Sequence, residues 1–277
     1  ITRYAEYSRP KKTGKLVLEI KNVSALNNSK IVFLKDLSME LAGGEIFGIA
    51  GVDGNGQSEL AEVISGLRKS IKGQVIMDGR DITNQSPQSI RESGLAYIPE
   101  DRMDTGLILE YSVAENLILD RYSSEPYSGR LFLKYSDINK FADKIIMDFD
   151  IRGVPGLNSP VRSMSGGNLQ KIVLGRELSR NPKVLIAHNP TRGLDIGATE
   201  YVHKQLFKQA DNGVGVLLIS LDLDEILEIS DRIAVLYEGK IMGTFDREHA
   251  NIDEIGLLMG GKKDTVDATK VIEGDDK

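Results

Sequence analysis

The chain has 277 residues, 35 basic against 41 acidic, and a formal net charge of -6. That balance argues against a nucleic-acid partner bound over a wide basic face. The absence of cysteine excludes a disulfide framework and any thiolate metal site. Three histidines leave little room for zinc, and no apolar run approaches the roughly 20 residues that span a bilayer.

Residues 1–15 are polar, carry Pro10 and "KKTGK", and read as a linker from a preceding domain; no initiating methionine or signal-peptide core precedes them. "KLVLEIKNV" alternates apolar and polar residues as a strand does, and "FLKDLSMEL" does so less cleanly. "EIFGIAG" predicts a short buried strand that runs into the glycine-rich stretch "GVDGNGQS". After it, Leu60, Val63, Ile64 and Leu67 recur at helical spacing, with Gly66 near the helix end. Strand, glycine loop and helix in this order form the context in which such a loop cradles phosphate, because its backbone N–H groups and the helix N-terminus point at one spot.

"GQVIMDG" and "SGLAYIPED" predict two more strands, the second ending before Glu100. "VAENLIL" and "DINKFADKIIMDFDI" are helical, the latter with Ile138, Phe141, Ile145 and Phe149 on one face, and predict a helical insertion over about 113–165. Strands and helices then alternate: "GGNLQKIVLGRELSR" as a helix, "KVLIAH" as a buried strand, "GATEYVHKQLFKQA" as a helix, "VGVLLIS" as a strand and "LDEILEIS" as a helix. "RIAVLYEGKIMGTF" predicts a hairpin turning at Glu238 and Gly239. The fold class is α/β with a mostly parallel sheet. Residues 261–277 are charged and aperiodic, as a disordered tail is, and no internal repeat is present.

The glycine loop spaces Gly51, Gly56 and Ser58 as a phosphate loop does, but Gln57 stands where such loops carry lysine. The candidate nucleotide-binding stretch is Gly51, Val52, Asp53, Gly54, Asn55, Gly56, Gln57, Ser58 and Glu59, with the Ser58 hydroxyl a weak candidate for magnesium. Gln57 donates hydrogen bonds without charge, and a charge-assisted bond exceeds a neutral one by about 1 kcal/mol or more. A second anion-binding helix start lies at Ser165, Gly166 and Gly167.

Together these motifs resemble the ATP-binding cassette (ABC) ATPases over residues 16–260. "GVDGNGQS" is similar to the Walker A loop, "MSGGN" to the family signature, "VLIAHNP" to the Walker B strand, "TRGLD" to the loop joining two ATPase halves and "SLDLDE" to the switch segment. "YIPEDRMDTGL", "MSGGNLQK" and "NPTRGLDIGA" resemble the C-terminal half of sugar and nucleoside import ATPases, with a slight tilt to nucleoside. The resemblance implies a P-loop, RecA-like core sheet, an N-terminal antiparallel β subdomain and an inserted helical subdomain. It implies ATP with magnesium as cofactor and, as partners, a first ATPase domain on the same full-length chain, membrane permease subunits and, indirectly, a substrate-binding protein. Its place would be the cytoplasmic face of the membrane, and nucleic acid is not among its expected partners.

The departures from that family fall on catalytic positions. Gln57 replaces the Walker A lysine, His188 the Walker B aspartate, Asn189 the general base, Leu221 the switch histidine and Glu100 the glutamine that reaches magnesium. "SALNNSK" lacks the aromatic that stacks on adenine. Loss of a positioned base alone costs about 10²–10⁴ in rate. His188 is either a replacement ligand or a tolerated polar residue at a strand end. Ser165, Gly166, Gly167 and Asn168 keep the signature, and Gly193, Leu194 and Asp195 keep the interdomain loop. The expectation is a half-site donor that offers its signature to ATP held by the first domain. The alternative is a non-hydrolytic module that holds the ATPase pair together. Glu100 through Asn116 is expected to meet the membrane subunits.

Overall fold

The computed structural model describes residues 14–129, 132–154 and 156–262. Two sheets share the work. The first is antiparallel, in the order β2-β1-β4-β5, from β1 (Leu16–Leu26), β2 (Val32–Ala42), β4 (Ser70–Met77) and β5 (Arg80–Asp81). The second runs β10-β9-β3-β8-β7-β6, from β3 (Ile46–Ala50), β6 (Leu95–Ile98), β7 (Val184–His188), β8 (Gly215–Ile219), β9 (Arg232–Tyr237) and β10 (Lys240–Asp246). All its pairings are parallel except β10 with β9.

The helices are α1 (Gln57–Ser65), α2 (Pro87–Glu92), α3 (Val113–Leu117), α4 (Tyr135–Asp148), α5 (Gly166–Leu178), α6 (Ile196–Asp211), α7 (Leu223–Ile229) and α8 (Ile252–Met259). The expected β-sheet subdomain, parallel core and helical insertion are all present. The short β5, α2 and α8, and a π-helical turn at Arg102–Gly106, fall in stretches too short or too polar for periodicity to reveal.

Continuous apolar runs in β3, β7 and β8 are buried residue for residue, as a sheet covered on both faces requires. Phe47, Ile49, Ile186 and Leu217 join Leu60 and Ile64 of α1 and the first sheet in one cluster. Ile46, Ala50, Leu185 and Leu218 join α5, α6 and the helical insertion in the other. On α4, Ile138, Ala142 and Ile145 are buried, while Phe141 and Phe149 pack half-buried beside them. Lys15 lies at the margin of the expected linker, its Nζ 3.0 Å from Asp78 Oδ1. Gly261 and Lys262 donate backbone bonds to Leu258 and Leu257 at the end of α8. The rest of the expected linker and tail lies outside the described residues.

The hairpin turns where expected. Glu238 and Gly239 both hold positive φ, 43° and 76°, the pairing a tight two-residue turn demands. A Cβ on Gly239 would stand 1.6 Å from the Phe33 carbonyl oxygen, so the turn is pressed directly onto β2.

Candidate nucleotide site

Parallel pairing sends the carboxyl ends of β3, β8, β7 and β6 to one edge, the edge where open α/β sheets bind ligands. Gly51 follows β3, Leu221 follows β8, His188 and Asn189 close β7, and Glu100 follows β6. The fold therefore gathers the five departing positions around one crevice.

The glycine loop is held by its neighbours. Gly54 and Gly56 take φ of 82° and 115°, values that favour glycine. A Cβ on Gly51 would stand 2.6 Å from the Leu236 carbonyl oxygen and 2.7 Å from Gln57 Nε2. Asn55 anchors the loop to the hairpin, accepting from Glu238 N at its Oδ1 (2.8 Å) and from Gly239 N at its carbonyl oxygen (2.8 Å). Its Nδ2 donates to the Val52 carbonyl at 2.9 Å. Gln57 is 3% exposed. Its Oε1 accepts from Asn55 N at 3.0 Å, and its Nε2 donates to the Val52 carbonyl at 2.9 Å. Ser58 is exposed, Glu59 half-buried, and Val52 and Asp53 face solvent.

His188 is buried, with Nε2 3.7 Å from Glu100 Oε2. Burial pushes its imidazole below the ordinary value, against the carboxylates of Glu100, Glu62 and Asp53, which draw it upward. The imidazole is thus neutral at pH 7 and supplies no cation. Asn189 sits at φ 43°, a left-handed conformation that asparagine tolerates. Its Oδ1 accepts from Leu221 N at 2.9 Å, so the carboxamide ties the switch segment to the end of β7.

The signature opens α5 beside the start of α6, where a Cβ on Gly167 would stand 3.1 Å from Ala198 Cβ. Ser165 is the N-cap of α5 but makes no side-chain cap bond. Its Oγ accepts from Asn168 Nδ2 at 3.0 Å, which leaves the hydroxyl proton to point elsewhere. Asn168 Oδ1 in turn accepts from Arg152 N. Gly193 holds φ 67° in the turn, closed by a bond from Leu194 N to the Thr191 carbonyl. Asp195 caps α6, taking the Ala198 N–H at 2.8 Å.

Two sets of residues here were not legible from the motifs. Arg192 pairs with Glu100, and Arg102 donates from Nη1 to the Arg192 carbonyl at 2.8 Å. The Arg102 guanidinium also lies against Gly166, where a Cβ would stand 2.8 Å from Nη2. It is directed inward, onto the signature and interdomain loops. Asp101 likewise works locally. It takes the N–H groups of Met103 and Asp104 at the π-helical turn, and those backbone bonds hold its carboxyl below the usual range. In the second set, Glu225 Oε1 lies 2.8 Å from both Thr191 Oγ1 and His203 Nε2. A histidine in the apolar stripe of α6, between Val202 and Leu206, was the available signal, since a buried polar group needs a partner.

Residues 34–192 match the sequence profile of the family described as ABC transporter. The chain belongs to the ABC transporter family. Its ABC fold is matched by a nucleotide-free ATP-binding cassette from an ABC transporter, with a TM-score of 0.72 at 22% identity over 90% of this chain and 96% of that one. The guanosine import ATP-binding protein NupO of Bacillus subtilis is 45% identical over 91% of this ABC chain and 49% of its own length. The nucleoside import ATP-binding protein NupA of Lactococcus lactis is 46% identical over 89% and 48%. The glucose import ATP-binding protein TsgD13 of Haloferax volcanii is 42% identical over 91% and 46%. The chain spans about half the length of these curated relatives. No described helix is long and apolar enough to cross a membrane.

For magnesium, the family's usual ion, the residues of this ABC crevice are a poor match. His188 stands where a carboxylate would, and the described residues hold no group of three or more His, Cys, Asp or Glu able to bind a metal.

Proposed function

We propose that this chain is the second, catalytically degenerate ATPase half of an ABC importer for nucleosides or sugars. Residues 16–260 form the ATPase domain, between a linker (1–15) and a tail (261–277). It offers Ser165, Gly166, Gly167 and Asn168 to ATP–magnesium held by a first ATPase half of the same full-length chain. It works at the cytoplasmic face of the membrane, coupled to permease subunits and through them to a substrate-binding protein. The likeness to nucleoside importers, slightly above that to the glucose importer, favours a nucleoside as cargo.

The observation that carries this reading is an asymmetry within one chain. The start of α5 is uncapped by its own serine, while the glycine loop faces neither a lysine nor a positioned base. In the assembled pair, the N–H groups at Gly166 and Gly167 and the Ser165 hydroxyl stabilise charge that develops on the partner's γ-phosphate. Asn189 takes no proton from water, so the position where the family carries its general base supplies none.

The test is ATP turnover by the full-length transporter carrying Ser165→Ala, alongside phosphate release by this chain alone. Removal of one such donor is expected to lower turnover about 10²-fold, and the isolated chain is expected to release no phosphate. Unchanged turnover overturns the signature role. Release by the isolated chain at roughly one per second, an ordinary enzyme rate, overturns the degenerate reading.

A further inference from the structure

The glycine loop lacks a lysine, but its geometry shows something more specific than a missing charge. The Asn55 N–H, one of the amides the loop turns toward its own interior, is already taken by Gln57 Oε1 at 3.0 Å. The other end of the same carboxamide closes onto the Val52 carbonyl at 2.9 Å. The side chain lies over Gly51, so close that a Cβ there would meet Nε2 at 2.7 Å. Both halves of the amide are thus satisfied inside the loop, and the residue is 3% exposed.

The surroundings reinforce the closure. Asp53, Glu62 and Glu100 all act on His188 with negative charge, and His188 itself is neutral. Cations beside these carboxylates are already engaged, Arg192 by Glu100 and Arg68 by Glu62. Asn55 is clamped to the hairpin turn at Oδ1 and at its carbonyl, so the loop does not relax simply to free the amide.

We propose that Gln57 is a built-in occupant of the phosphate loop, one that turns away the polyphosphate of a nucleotide by filling the place where an oxyanion would bind. This rests on the degenerate reading of the chain's own crevice and names the residue that enforces it. A nucleotide must displace the carboxamide, breaking two internal bonds in a loop anchored elsewhere. Under simple charge loss, the loop stands open and merely binds weakly. Under occupancy, the loop is closed, and removing the occupant opens it without adding any charge.

The two accounts predict opposite signs for one variant. Calorimetric titration of MgATP, and separately of inorganic pyrophosphate, into the 277-residue chain compares the native protein with Gln57→Ala and Gln57→Lys. Occupancy predicts that Gln57→Ala binds both ligands about tenfold more tightly than native, the equivalent of one or two neutral hydrogen bonds released, and that Gln57→Lys binds more tightly still. Gln57→Ala binding no tighter than native, with its melting transition intact, overturns the proposal. If that variant does not fold, amide hydrogen exchange of the native chain decides. Asn55 N–H exchanging about tenfold or more below its unstructured rate supports the internal bond, and exchange at the unstructured rate overturns it. Phosphate release by the native chain would sink the degenerate reading itself. A silent native chain with an unimproved Gln57→Ala would sink only the occupant.

Discussion

Asn116 is a polar side chain with no solvent exposure. Its Oδ1 accepts from Ile108 N at 2.9 Å, and its Nδ2 reaches the carbonyls of Ile108 (2.9 Å), Ser112 (3.0 Å) and Tyr111 (3.3 Å). It thereby locks the segment after Glu100, where membrane contact is proposed, onto α3. Two donor hydrogens and one acceptor are in use. At about 1 kcal/mol for each neutral bond, plus the cost of leaving buried backbone groups without partners, Asn116→Ala should destabilise by about 3–4 kcal/mol. That is a large share of the about 5–15 kcal/mol a domain commands, and at about 2–4 °C per kcal/mol it lowers the melting temperature by about 10 °C. Asn116→Asp sharpens the test. The amide donor becomes an oxygen facing three carbonyls, so the buried acid is held protonated and its folded-state pKa rises. A raised pKa means that stability is present below the unfolded value and is lost as pH rises through the folded one. Urea denaturation followed by circular dichroism, near pH 4 and near pH 7, reads both effects. Asn116→Asp should fall furthest below native at the higher pH. A loss of under about 1 kcal/mol in Asn116→Ala, or a pH-independent deficit in Asn116→Asp, would refute the bond count.

Two further perturbations bear on the crevice. His188 has a folded-state pKa below the ordinary 6.5, so the unfolded chain takes the proton first and stability falls as pH drops below that value. Replacing it with Asn should flatten the decline in urea midpoint between about pH 7 and pH 5.5; parallel curves for both proteins would show that the imidazole is not the cause. Gly239→Ala combines a left-handed φ with a Cβ at 1.6 Å from the Phe33 carbonyl and should cost about 3 kcal/mol or more. It should also speed exchange at the Gly239 and Asn55 amides, and unchanged exchange there would separate the turn from the loop.

The parallel core was legible because β3, β7 and β8 are apolar throughout, and α4 because Ile138 and Ile145 repeat at helical spacing. The gathering of Gln57, Glu100, His188, Asn189 and Leu221 at one edge rests on the spatial strand order β3-β8-β7-β6, which the sequence alone does not show. What also escaped was where side chains turn. Nothing in "YIPEDRMDTGL" distinguishes an Arg102 aimed at solvent from one folded onto Gly166 and Arg192, because that choice depends on a glycine 64 positions away in "MSGGN". Charge reversal at Asp101 or Arg102 is accordingly a poor probe of membrane contact, since it would first disturb the turn and the loops these residues hold. Likewise, the sequence shows that Gln57 has no charge, but the bonds inside the loop show what it does instead.

Helix α5 is fastened on several sides at once. Gln170 Nε2 holds the Pro190 carbonyl at 2.7 Å, Arg176 Nη1 holds the Gly106 carbonyl at 2.8 Å, and Lys171 Nζ reaches the Asp150 carbonyl at 2.6 Å just past α4. A rotation of the helical insertion against the parallel sheet therefore cannot leave this helix behind, nor can the helix turn without pulling on the Asn189-to-Asp195 loop. Force applied at the far end of α4 arrives at the interdomain loop and at the signature serine together. Under the proposed pairing with a first ATPase half, a motion of the helical insertion would reach the signature through this helix, even if the chain's own crevice never holds a nucleotide.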